Sequence, residues 1–159
     1  MNKRALIKKI IARLTDELGV YFRAANASRA EATHEQNKAE SKYDTRGLEA
    51  SYLARGQSKQ AAELEAAIAD FEKLDARKFG DGEAVNVGAL VELENNGERS
   101  FYFIGPRAGG TEVIHDKKEI LVITPQSPLG EQLLGRKQGE RRQLTFGNEK
   151  QLAKIVSVE

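Results

Sequence analysis

The stretch KFGDGE, Lys78–Glu83, decides how the chain divides. Before it, apolar residues recur in steps of three and four; after it, they alternate with polar ones. The first period belongs to helices and the second to strands. Gly80 and Gly82 mark a helix stop and a boundary near residue 80. The expected class is α+β: a helical part over residues 1–79 and a small β-rich part over 80–159.

Reading back from Leu74, the seam runs through Phe71, Ala67, Leu64, Gln60, Gln57, Leu53 and Ala50. From the N-terminal side it runs through Ile7, Ile11, Leu14, Leu18, Tyr21, Ala25, Ser28, Ala32, Glu35 and Ala39. Such sustained a/d spacing predicts a coiled coil with arms over Ala5–Ser41 and Ala50–Lys78. The heavy aliphatic residues lie early in the first arm and late in the second. An antiparallel hairpin matches those layers, whereas a parallel pair would set Ala and Gln against Ile and Leu. An arm of this length reaches roughly 50 Å at about 1.5 Å per residue.

The tip falls in Lys42–Leu53, KYDTRGLEASYL, where Asp44-Thr45-Arg46-Gly47 fits a tight turn. Its carboxylates have two readings. Locally, Asp44 accepts turn amides and Glu49 favours the N-terminus of the following helix. Functionally, Asp44 and Glu49 present oxygen ligands at the end of a rod. Oxygen ligands suit Mg²⁺, which takes one or two protein carboxylates and leaves its other positions to water or phosphate. Two carboxylates make no complete cage, but they can finish a site that belongs to a partner.

The β-rich part is read as strands at Ala89–Leu93 and Ser100–Ile104, joined through Asn95-Asn96-Gly97, a hairpin signal. Gly109-Gly110 marks a turn before Glu112–His115, and Glu119–Ile123 follows as a further strand. Ser127 and Pro128 read as the cap and first residue of a short helix that runs through Leu133-Leu134 to Gly135. Arg142–Phe146 and Leu152–Val158 complete the strands. Gly130 to Lys137 has the outline of a phosphate-binding loop. It lacks Gly-Lys-Ser/Thr and its first glycine falls inside the helix, so it is read as a helix end.

The composition narrows the function classes. A formal net charge of +1 gives no global argument for nucleic acid or membrane. The absence of cysteine excludes disulfides and thiolate zinc sites. Lys8, Lys9 and Arg13 break the apolar N-terminus, so no membrane span is expected, and a soluble cytoplasmic protein is. Lys3, Arg4, Lys8, Lys9 and Arg13 are read as a solvated basic face. His34 and His115 are expected at surface or edge positions.

These residues bring a family into view. A two-helix rod with an acidic tip, followed by Ile123–Glu140, ITPQSPLGEQLLGRKQGE, resembles the GreA/GreB transcript-cleavage factors. The pattern is carried by Ile123, Ser127, Pro128, Leu129, Leu133, Leu134, Gly135, Arg136 and Gly139. Tyr52-Leu53-Ala54-Arg55-Gly56-Gln57 resembles the family's sequence after its tip. The resemblance implies an FKBP-like C-terminal domain docked on bacterial RNA polymerase, with the Ser127–Leu129 and Leu133–Gly135 residues as partner contacts. It implies a coiled coil in the secondary channel, and Asp44 and Glu49 helping to hold the polymerase's own Mg²⁺ during cleavage of backtracked RNA. It further implies no enzyme activity and no cofactor of its own, contact with nucleic acid only through the transcription complex, and a monomer. With no Trp, four Tyr and six Phe in the chain, an aromatic pocket for proline isomerisation is not expected.

One departure stands out. The family spaces its Asp and Glu three apart, with Tyr four after the Glu. Here Asp44 and Glu49 are five apart and Tyr52 follows by three. On one continuous helix that spacing turns the carboxylates about 140° apart; a non-helical turn at Gly47 lets them converge. A non-cleaving regulator of the secondary channel, DksA-like, is the alternative reading.

Overall fold

The computed structural model describes residues 1–36 and 55–159. They form α1 (Lys3–Gln36), α2 (Arg55–Glu72), β1 (Leu90–Asn95), β2 (Glu98–Ile104), β3 (Glu112–His115), β4 (Lys118–Ile123), α3 (Pro128–Leu133), β5 (Arg141–Phe146) and β6 (Glu149–Val158). The class is α+β, with an N-terminal helix and a mixed six-stranded sheet of order β3-β4-β2-β1-β6-β5. The β2–β4 pair is parallel and the other pairs are antiparallel. Contacts divide the chain into two compact units, one of Met1–Arg13 with Ala69–Glu159 and one of Leu14–Ile68.

In the first unit the sheet buries residues on both faces. Along β1, Val91 and Leu93 point into one core with Ile104, Ile123, Leu144, Ala153 and Ile155. Leu133 of α3 closes that core, together with Phe79 and Val85. On the opposite face Leu90, Phe103 and Val122 line up by register. There the ring of Phe71, fully buried at the end of α2, lies 6.3 Å from that of Phe103. Gly105 makes this approach possible: a Cβ there would stand 2.7 Å from Phe71 Cζ and 2.9 Å from Val122 Cγ1. The Arg107 guanidinium then donates to the Asp70 carboxylate at 2.6 Å.

The start of α1 belongs to the same unit. Asn2 caps it by accepting from the Ala5 amide at 3.0 Å. Leu6, Ile7 and Ile10 are buried, whereas Ile11 is half-buried. The packed face therefore keeps Ile7 of the expected seam but is centred on Lys3, Leu6 and Ile10, with Ile11 at its margin. Lys3 itself is 5% exposed, against the expectation of a solvated position. Its ammonium donates to the Gly88 and Glu159 carbonyls at 2.8 and 3.0 Å and lies 4.7 Å from the Phe79 ring centroid.

Burial, with the Arg77 charge second, pulls Lys3 from its ordinary 10.5 down to about 8. The folded state thus holds this proton less tightly than the unfolded chain, and stability rises with pH between about 8 and 10.5. We expect the wild type to gain about 1–3 kcal/mol relative to Lys3→Met between the two ends of that window. Urea midpoints of both proteins at each pH measure it; parallel pH profiles would contradict it.

The second unit holds the middle of α1 and most of α2. Leu14, Ala61 and Ala67 are buried in it, and the Tyr21 hydroxyl hydrogen-bonds the Gln60 carboxamide oxygen. Leu64 is half-buried and Gln57 exposed.

Inside the described stretches, two boundaries differ from expectation by three residues or more. The second helix stops at Glu72 rather than Lys78. Its end is set by tertiary packing and not by the glycines: the Leu74 amide closes on Phe71 at 3.2 Å, and the chain then leaves the helix to bury Phe79. The last strand starts at Glu149 rather than Leu152, pairing Phe146 with Glu149 across Gly147-Asn148. His115 lies on an edge strand as expected but is 5% exposed, with its Nε2 3.6 Å from Asp116 Oδ2. It shares an inward face of β3 with buried Val113.

Candidate functional site

The expected partner-binding residues cluster where β4 ends and α3 begins. The Ser127 hydroxyl donates to the Thr124 carbonyl at 2.7 Å and accepts from the Gly130 amide at 3.1 Å. One side chain thus closes the turn and caps the helix, with Pro128 at its first position as its missing N–H allows. Gly130 is packed so tightly that a Cβ would stand 1.8 Å from the Thr124 carbonyl oxygen. Only a residue without a side chain fits that approach of helix to loop.

From this corner the side chains separate by role. Leu133 is fully buried, and Leu129 and Leu134 pack against the core around it. Pro128, Glu131 and Gly135 are exposed, so the surface presented outward is these three residues with half-buried Leu129 and Leu134 beside them. Gly135 takes φ +82 and ends the helix, which accounts for the phosphate-loop outline as a helix stop. The Gly135 amide donates to the Val85 carbonyl at 3.0 Å, and the Val85 amide to the Arg136 carbonyl at 2.8 Å. The segment after α2 is thereby locked to the corner.

Gln132, which is not among the motif residues read from the sequence, performs a second locking task. Its carboxamide donates to the Thr145 carbonyl at 3.1 Å and accepts from the Thr145 amide at 2.7 Å. It behaves as a one-residue strand against β5. Charges on the sheet are ordered separately: Arg99 bridges Glu92 at 2.8 Å and Glu94 at 3.5 Å. The Glu92 carboxylate raises the Arg99 pKa further.

Asp44 and Glu49, with the whole Lys42–Leu53 stretch, lie outside the described residues. Among the described residues no three His, Asp or Glu side chains converge as a metal site. No described helix is long and apolar enough to cross a membrane.

Against known proteins, residues 80–159 match the family model "Transcription elongation factor, GreA/GreB, C-term". No curated protein matches the chain. Among solved structures, the chain is similar to the GreA factor homolog 1 (Gfh1) of Thermus thermophilus, at 24% identity over 94% of each chain, with a TM-score of 0.39. It is similar to Thermus aquaticus Gfh1 at 25% identity, over 95% of this chain and 94% of that one, with a TM-score of 0.41. A GreA/GreB elongation factor from Nitrosomonas europaea is 22% identical, over 62% of this chain and 77% of that one, with a TM-score of 0.37. The family match spans half of the sequence and contains the Ser127–Gly135 corner, and on that ground the chain belongs to the GreA/GreB family of transcription elongation factors.

Proposed function

We propose that this protein binds bacterial RNA polymerase and stimulates the polymerase's own cleavage of backtracked RNA. The observation that carries the reading is the family match over residues 80–159, joined to a sequence that places acids between two long helical segments. In this reading residues 1–79 form an antiparallel coiled-coil hairpin and residues 80–159 an FKBP-like docking domain. The Tyr21–Gln60 hydrogen bond supports the hairpin, because both residues are seam positions. The exposed corner around Pro128, Glu131 and Gly135 suits docking at the rim of the secondary channel.

The protein acts as a monomer without a cofactor of its own. Asp44 and Glu49 supply two hard oxygen ligands, and the polymerase and the RNA phosphate supply the rest. A second Mg²⁺ so held provides charge stabilisation for phosphoryl transfer.

A second reading is favoured by the five-residue spacing of Asp44 and Glu49: a channel regulator that binds without promoting cleavage. One experiment separates the two. Core polymerase is assembled on a backtracked scaffold with labelled RNA, and both co-elution of the protein and RNA length are followed. We expect co-elution with shortening of the RNA. Co-elution without shortening selects the regulator, and no co-elution at micromolar concentrations removes both.

A further inference from the structure

The outer edge of β5 is half closed and half open. The Ile155 amide donates to the Glu140 carbonyl at 2.9 Å. By antiparallel alternation, the backbone groups of Arg142 and Leu144 then face β6, while those of Arg141, Gln143 and Thr145 face outward. Thr145 is satisfied at both atoms by Gln132. Among the described residues no comparable group covers Arg141 or Gln143. Edge strands are usually blunted against pairing, and this one is blunted only at its C-terminal end.

The side chains beside the open part favour one kind of occupant. Register places Arg141 opposite Lys154, Gln143 opposite Leu152 and Thr145 opposite Lys150. Leu152 is 58% exposed, the second most exposed large aliphatic among the described residues after Ile114. Among the described residues Arg141, Lys150 and Lys154 have no carboxylate at ion-pair distance; the nearby Glu94 is taken by Arg99. A hollow of about 120 Å³ opens between Glu94, Asn96, Arg141, Leu152 and Lys154.

We propose that this edge receives an extended acidic segment of a partner protein by strand addition. The segment's backbone pairs with Arg141 and Gln143, its carboxylates meet Arg141, Lys150 and Lys154, and one apolar side chain leans across Gln143 onto Leu152. Main-chain pairing supplies affinity and the alternate side chains supply selectivity. Gln132 sets the limit of the added strand at Thr145. A nucleic-acid strand would use the cations but neither the unpaired amides nor Leu152. The inference concerns residues outside the Ser127–Gly135 corner and does not depend on the partner being the polymerase.

The test uses the full chain and a fluorescein-labelled heptapeptide, Thr-Glu-Thr-Val-Thr-Glu-Thr, with its ends blocked, whose two glutamates and central valine share one face of a strand. We expect saturable anisotropy. Binding should weaken about tenfold or more, a loss of roughly 1.4 kcal/mol, in Arg141→Glu, Leu152→Ser and Gln143→Pro, and for a peptide N-methylated at alternate amides. The methylated peptide keeps the test decisive even if Gln143→Pro fails to fold, since it is read on wild-type protein. Three outcomes overturn the proposal: no saturation at millimolar peptide, undiminished binding of the methylated peptide, or displacement by a single-stranded oligonucleotide more readily than by unlabelled peptide. A dimer abolished by Leu152→Ser would instead assign the surface to a second copy of the chain, and would equally overturn it.

Discussion

Gly130→Ala is expected to destabilise the sheet-bearing unit strongly. The new Cβ would lie 1.8 Å from the Thr124 carbonyl oxygen and 2.8 Å from Ser127 Oγ. Neither neighbour can give way cheaply. Thr124 O is backbone and accepts from both the Ser127 amide and the Ser127 hydroxyl. Pushing α3 outward would spare the methyl group but withdraw Leu133 from the core and break the Gln132 bonds to β5. Overpacking of this kind costs about 1–3 kcal/mol where neighbours adjust, and losing the Ser127 cap adds about 1. We expect a total near 2–4 kcal/mol, enough to lower the melting temperature by about 10 °C or more in a unit of this size. Gly56→Ala should act in the opposite direction. Gly56 lies in α2 with nothing within 4 Å of a new Cβ, so helix propensity alone should stabilise by about 0.5–1 kcal/mol. Paired thermal melts by circular dichroism check both signs. A Gly130→Ala melt within a few degrees of wild type would contradict the packing account.

How much of this was legible beforehand depends on the kind of signal. Asn96-Gly97 announced its hairpin because both residues can take positive φ, and both do. Ser127-Pro128 announced α3 because a cap and a missing amide are local requirements. The first three residues of β6 lay outside the expected strand although Gly147-Asn148 is a hairpin dipeptide. Glu149 and Lys150 are exposed, and a solvated hairpin arm shows no apolar alternation to read. The parallel β2–β4 pairing has no local signature, since only long-range packing selects it. Lys3 was misread for a related reason. In a basic cluster a lysine looks solvated, and nothing in sequence tells that two distant carbonyls and Phe79 wait for its ammonium. The end of α2 was likewise written by Phe79, not by the glycines. The candidate site divides along the same line. Its corner residues were readable as a motif, but the assignment of Leu133 to core and Pro128 to surface, and the edge-closing role of Gln132, needed the sheet in place.

The second large effect concerns the tip. If Asp44 and Glu49 complete a polymerase site, each contributes a charged ligand that nothing else in the chain replaces. Loss of one group that orients a catalytic metal costs on the order of 10–100-fold in activity. Asp44→Ala should therefore cut stimulated cleavage about 10–100-fold while leaving co-elution with polymerase unchanged, because docking is assigned to the other part of the chain. Glu49→Ala should follow if the turn at Gly47 brings both carboxylates to one face. An undiminished Glu49→Ala would mean that the longer spacing has taken Glu49 out of the site.

The most direct measurement is the length of labelled RNA in a stalled, backtracked polymerase complex, before and after addition of the wild-type protein in Mg²⁺. The account predicts release of short 3′ fragments at a rate at least about tenfold above polymerase alone, the scale on which metal-orienting groups act. RNA of unchanged length at a saturating concentration of bound protein would contradict it.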